Sequence, residues 1–357
     1  MRITAVEIIE VVGGDHRALY VEVRTDGEHT GLFGPVQPPQ ADVIRRSIAP
    51  ALVAADPLAS EALHDRMLQL DRHGRSGVFL TGLSPVDCAL WDLTGKVLGL
   101  PVWRLLGGPT RDRVPAYASM LGHSVDPDEA VVTAAAFAEQ GYEAQKWFFA
   151  YGPADGAAGM ARNLDLARAL RDALGPHYRL MFDVFMKWTA DYAIEMVRKL
   201  AVVEPAWVEE PVPPERVGAF RRIRAAAPVP IATGEHVYTR WQVKELLEAG
   251  AVDVVQTDPD WCGGITEQMK ICALASAFDV PVVAHGHSLL PALHIAAALP
   301  ASLVPQVEFL VAFQPAKQHF HAPYRAPVDG SLDLPVEPGL GLLLDDAKID
   351  ERRAWSQ

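Results

Sequence analysis

RLMFDVFMKWTADYAIEMVRKLAVVEPAWVEEPVPPERVGAFRRIRAAAPVPIATGEH, residues 179–236, decides the fold. Three short apolar runs, RLMFDV, WVEEP and PIATGEH, alternate with TADYAIEMVRKL and RVGAFRRIRAA. The intervening segments place apolar residues at three- and four-residue steps, the period of a helix. Strand–helix alternation at this spacing predicts parallel strands joined by crossover helices.

The pattern extends in both directions. VPAYASM (114–120) and EAQKWFF (143–149) precede it; VDVVQTD (252–258), VPVVAHG (280–286) and VEFLV (307–311) follow. Eight short buried runs predict a closed (β/α) barrel over residues 113–325. An open doubly wound sheet is the competing arrangement, and the lack of a Gly-x-Gly-x-x-Gly or P-loop signature counts against it. Before the barrel, ALYVEVRTDG alternates apolar and polar residues, and helical periodicity replaces that alternation from about residue 41. Residues 1–112 therefore read as an α+β unit. The tail, 326–357, is expected to be largely irregular, with one strand returning to that unit.

Composition narrows the function. The 357 residues carry 32 Lys+Arg against 45 Asp+Glu, net −13, which argues against a nucleic-acid surface. A small anionic substrate would need a local reversal of that field, which a divalent cation supplies. Cys88, Cys262 and Cys272 make no disulfide framework and lack zinc-finger spacing, so a reducing, cytoplasmic setting is expected. Glu7 and Glu10 interrupt the first apolar run, unlike a signal peptide, and no stretch reads as a membrane span. A homo-oligomer is expected, with its order unread.

Active sites of such barrels are built at the carboxyl ends of the strands. Asp183, Glu209 and Glu235 are spaced by 26 residues each, about one β/α unit, and are predicted to share one height on successive strands. Three converging carboxylates repel and are costly to desolvate unpaired, and a hard cation resolves this. With no histidine or cysteine among them, they favour Mg²⁺. Strand alternation turns only one of Glu209 and Glu210 inward, and Glu209 keeps the register. His285 ends the seventh run beside Asp258 of the sixth, a pairing that can fix the imidazole tautomer and tune it as a base. His287 and Asp260 are alternatives by parity. Lys146 on the second strand is a cation for substrate charge, and Phe148 shares its face.

At these residues the sequence resembles the enolase superfamily, in its mandelate racemase branch. DCALWDLTGKVLGLPVWRLLGG (87–108) looks like the family's capping-domain helix. Asp183, WVEEP, TGEH, QTDPDWCGG and AHG look like its strand ends in order. The resemblance implies an α+β capping domain on a modified (β/α)7β barrel, Mg²⁺ on Asp183, Glu209 and Glu235, a His285–Asp258 dyad, and proton abstraction next to a carboxylate. Within the branch, YGPADGAAG (151–159), Gly234-Glu235-His236 and Trp261-Cys262-Gly263-Gly264 resemble rhamnonate dehydratases. Two departures stand out: a short N-terminal region, and Lys146-x-Phe148 where the family has Lys-x-Lys. A racemase needs bases on two faces, and Phe148 accepts no proton, so dehydration of an aldonate such as a rhamnonate-like acid to a 2-keto-3-deoxy acid is expected. Epimerisation or cycloisomerisation is the alternative. His236 is expected to contact a substrate hydroxyl or assist the acid step, and Glu308 to hydrogen-bond the enediolate, when protonated or through water. His16, His29 and Gln37 of the capping loops, with His287, are candidate substrate contacts.

Overall fold

Strands β1 (Ile3–Gly13), β2 (His16–Thr25) and β3 (Gly31–Val36) form an antiparallel sheet. This computed structural model describes residues 1–356. The 21-residue helix Val78–Leu98 packs on that sheet, close enough that a Cβ on Gly31 would lie 2.1 Å from the Ala89 carbonyl oxygen. Inside the helix, Ser84, Asp87 and Trp91 turn toward the barrel: Ser84 accepts from the Gly263 amide (2.9 Å) and Asp87 from the Thr266 amide (2.9 Å). The Trp91 indole donates to Thr266 Oγ1 (2.9 Å). This helix thus anchors the end of the loop that follows Asp258 and the start of the helix Gly264–Ser276.

The second sheet runs β4 (Arg113–Ser119), β5 (Ala144–Phe148), β6 (Arg179–Asp183), β7 (Trp207–Glu209), β8 (Ile231–Thr233) and β9 (Val254–Val255), all parallel. β10 (Val307–Leu310) pairs in parallel with β4 at the other end. The expected seventh run makes no regular strand. Val282 and Val283 bridge Val255, while the Val282 amide turns to the Leu303 carbonyl (2.7 Å) rather than to β10. Gly286 then turns the chain, and its amide finds the Glu308 carboxylate (2.9 Å) in place of a strand partner. Pro281 has no amide to lend a longer ladder.

In the tail, β13 (Leu343–Leu344) pairs with β11 (His321–Ala322) just before it, β12 (Ser331–Asp333) extends β4, and β14 (Glu351–Ala354) returns to β1. The tail is more regular than its composition suggested. No helix among the described residues is long and apolar enough to cross a membrane.

An apolar layer fills the barrel: Tyr117, Ala144, Met181, Trp207, Ala232, Val254 and Val283, one from each of seven consecutive positions. Side chains two residues further on face the same way. Those residues are Ser119, Lys146, Asp183, Glu209, Gly234, Gln256 and His285, so a polar layer rests directly on the apolar one.

Candidate active site

Lys146 is buried at the centre of that polar layer. Its ammonium lies 2.7 Å from Glu209 Oε1, 2.9 Å from Glu308 Oε1 and 3.7 Å from Asp183 Oδ2. Burial opposes its charge, but Glu209 and Glu308 hold its pKa well above the ordinary lysine range. Lys146 is therefore a fixed ammonium. Glu209 is saturated on its other oxygen by the Trp207 indole (3.0 Å) and the Gln256 amide (2.6 Å). Glu308 gives its second oxygen to the Gly286 amide; burial opposes its ionisation, yet Lys146 and His285 hold its carboxyl down at about 2. A carboxylate held in its ionised form would reach the enediolate through water, one of the two routes expected for it.

Asp183, Glu209 and Glu235 bring one oxygen each within 4.8 Å of one another. Burial and the Glu209 charge push the Asp183 carboxyl well above its usual range; burial also raises Glu235. Three buried, converging carboxylates with no soft donor fit a hard divalent cation. The equal spacing does not reflect equal height. Asp183 pairs with Glu209 in register, but Glu209 pairs with Ala232, three residues before Glu235. Glu235 reaches the cluster because the chain turns at Gly234, whose φ is +148° and where a Cβ would sit 2.5 Å from the Gln256 amide nitrogen.

Glu210 (φ +41°) turns away from the barrel axis, taking a hydrogen bond from Thr233 Oγ1 (3.1 Å) and facing His236 Nδ1 (3.0 Å). Among the described residues, Glu210, Glu235 and His236 form a second grouping that shares Glu235 with the first. The hydrogen bond to Glu210 raises the His236 pKa. His236 lines a separate outer groove with Pro214, Tyr238 and Gln242, not the catalytic cavity.

Two histidine–aspartate pairs stand side by side. His285 Nδ1 lies 2.9 Å from Asp258 Oδ2, and His287 Nδ1 lies 2.9 Å from Asp260 Oδ2. Trp261 rests against both rings, with centroids at 4.8 and 5.0 Å. The Asp258 carboxylate also takes the Asp260 amide (2.7 Å) and the His287 amide (3.1 Å), so its geometry is set by the turn it begins. His285 Nε2 lies 3.2 Å from Glu235 Oε2. Burial lowers the His285 pKa, but Glu235 and the Asp258 hydrogen bond outweigh it and raise it to about 10.

Lys146, Asp183, Glu235, His285 and Glu308 line a cavity of about 270 Å³ with Leu121, Phe148, Phe185, Leu310, Phe313 and Lys317. Phe148 stacks on Phe185 (4.9 Å) and shares the Lys146 face, as strand parity predicts. His287 lines the cavity; His16, His29 and Gln37 do not. His16 is exposed at the β1–β2 turn and stacks on His319 (3.6 Å), while His29 and Gln37 are also exposed. The capping residues nearest the site are Phe33, Gly34 and Pro35, which line a smaller adjoining cavity with Asp260, His287 and Lys317. Sequence reading missed Lys317 and Phe185, because neither lies on a barrel strand: Phe185 follows β6 and Lys317 ends a short helix after β10; reading each strand-following segment for charge would have found Lys317.

Residues 16–107 match the mandelate racemase / muconate lactonizing enzyme N-terminal domain, and residues 129–348 match the enolase C-terminal domain-like family. The chain belongs to the enolase superfamily. It is 34% identical to an L-rhamnonate dehydratase of Saccharopolyspora erythraea, over 94% of this chain and 85% of that one. It is 33% identical to a D-galactarolactone cycloisomerase of Agrobacterium fabrum, over 95% and 92%. The crystal structure of a mandelate racemase/muconate lactonizing protein from Paracoccus denitrificans complexed with magnesium superposes with a TM-score of 0.89, at 30% identity and 99% coverage of both chains. This enolase-superfamily chain therefore combines the mandelate racemase-type capping and barrel domains.

Proposed function

We propose that this enolase-superfamily protein is a Mg²⁺-dependent hydro-lyase that converts an acid sugar to its 2-keto-3-deoxy acid. Asp183, Glu209 and Glu235 would hold the cation, which when bound supplies Lewis-acid charge for the substrate carboxylate. The Lys146 ammonium, fixed between Glu209 and Glu308, adds positive charge where the enediolate develops. His285 Nε2 takes the C2 proton while Asp258 holds Nδ1 and stabilises the imidazolium. The same imidazolium then protonates the departing 3-hydroxyl. One water leaves, a C2–C3 double bond forms, and the resulting enol becomes the 2-ketone. Glu308 positions Lys146 and the Gly286 turn, and His236 braces Glu235 from the outer side. Residues 1–112, with 326–357 returning to them, would cap the barrel of residues 113–325.

The observation that carries this reading is the one-sided base. His285 has a buried aspartate behind it, whereas the Lys146 strand presents Phe148 and a saturated ammonium. A second reading, epimerisation or cycloisomerisation at the same site, is favoured by the cycloisomerase relative. Incubating the Mg²⁺-loaded protein with a panel of aldonic and aldaric acids separates the two. Loss of one water with appearance of an α-keto acid supports dehydration; isomers of unchanged mass support the second reading.

A further inference from the structure

Lys317 ends the short helix Gln314–Lys317 that follows β10. Its ammonium donates to the His287 carbonyl (3.2 Å) and, among the described residues, has no carboxylate within 4.0 Å. Burial pulls its pKa down. Asp258, Asp260 and Glu308 favour its charge only from beyond contact distance; a half-buried ammonium with no carboxylate in contact is costly, and structural lysines in such positions are normally paired. Lys146, in the same cavity, shows the paired condition.

The position of Lys317 indicates what would pair with it. His287 and Lys317 line both the catalytic cavity and the smaller one against Phe33, Gly34 and Pro35. Asp183, Glu235 and His285 line the catalytic cavity alone. The cavity thus has a reacting end at the acid cluster and a capping end at Lys317. Asp260 holds His287 Nδ1 and leaves Nε2 for a ligand. The remaining walls, Leu121, Phe148, Phe185, Leu310 and Phe313, offer no charge. A polyol tail ending in a hydroxyl or methyl group would leave the ammonium unpaired; one ending in a second carboxylate would neutralise it.

We infer that Lys317 is a specificity-determining residue that receives the distal carboxylate of the substrate, and that the preferred acid sugars are aldarates. This rests on the acid-sugar reading and shifts it from the aldonate expected from sequence to the dicarboxylic class. The test uses the Mg²⁺-loaded His285→Asn protein, so that binding is read without turnover. Calorimetric titrations compare the matched pairs galactarate and galactonate, glucarate and gluconate, mannarate and mannonate, with rhamnonate beside them. In at least one pair the diacid should bind about 30-fold tighter or more, the size of a charge-assisted contact. Adding Lys317→Met should remove that advantage while leaving aldonate affinity within about threefold. Lys317→Arg should restore most of it. Aldonates or rhamnonate binding as tightly as every diacid, or Lys317→Met weakening both classes alike, would overturn the inference. A wild-type protein that binds diacids selectively but releases no keto acid would instead refute the dehydration reading alone.

Discussion

His285 has its two ring nitrogens committed to different neighbours: Nδ1 to Asp258 and Nε2 toward Glu235 and the cavity. His285→Asn should abolish both dehydration and exchange of the C2 proton with solvent deuterium, read by proton NMR. Asp258→Asn has a signed effect. Glu235 and Asp258 both raise the His285 pKa; Mg²⁺ on Glu235 would offset the first, and the base form exists above the pKa that Asp258 then maintains. Removing the carboxylate lowers the pKa, so the acid limb of the kcat/KM profile moves to lower pH. The plateau falls by roughly 10²–10⁴-fold because the imidazolium loses its partner. An unmoved limb would show that Asp258 does not act through the histidine. Asp183→Asn should lose Mg²⁺ binding in calorimetry, yet melt no lower than wild type without metal, since it removes one of three repelling charges. At this scale the sequence was readable where chemistry falls on strand ends: Asp183, Glu209, Lys146 and His285 stand one pleat above the apolar layer. Lys317, His16 and His29 were not, because the direction of segments outside the barrel strands depends on packing that periodicity does not carry.

At the scale of elements, the turn after β8 sets the position of Glu235. Gly234→Ala would force a Cβ to 2.5 Å from the Gln256 amide nitrogen at φ +148°. The strand end must shift and carry Glu235 with it. Mg²⁺ affinity should fall by about tenfold or more, and the metal-free melting temperature by several degrees, as expected for 1–3 kcal/mol of strain. Unchanged Mg²⁺ affinity would show that the turn does not position the ligand. The 26-residue spacing picked out three acids that do converge, for a partly wrong reason. It measures one β/α unit, but β7 and β8 differ in where they leave the ladder, and only the register shows it. The seventh run likewise read as a strand from its apolar content, whereas Pro281 and the Gly286 turn reduce it to a bridge.

For the whole molecule, His294 ties three parts together. In the helix Leu289–Ala298, its Nδ1 accepts from the Trp103 amide (3.0 Å), and its Nε2 faces the Leu340 carbonyl (3.1 Å). Burial lowers its pKa from 6.5 to about 4. The unfolded chain takes up this proton below pH 6.5 and the folded chain does not, so the stability His294 contributes is present above 6.5 and lost as pH falls toward 4. The stability advantage of wild type over His294→Asn, from urea titrations, should shrink by about 2 kcal/mol between pH 7 and pH 5. A constant difference would mean that the histidine is not held neutral. The division into a capping sheet and a barrel was legible because the hydrophobic period changes from alternation to helix to strand–helix repeats. The closeness of cap and barrel at the site was not, since it depends on contacts such as Phe33–Pro35 beside Lys317.

The central claim is a single base serving one face of the substrate. Mg²⁺-loaded wild type is incubated in deuterated water with both C2 epimers of an acid sugar it consumes, and C2 deuterium and keto-acid product are followed by NMR. One epimer should yield a 2-keto-3-deoxy acid, with no deuterium at C2 of the other and no interconversion. Deuterium entering C2 of both epimers at similar rates, or one epimer appearing from the other, would reveal a second base and contradict it.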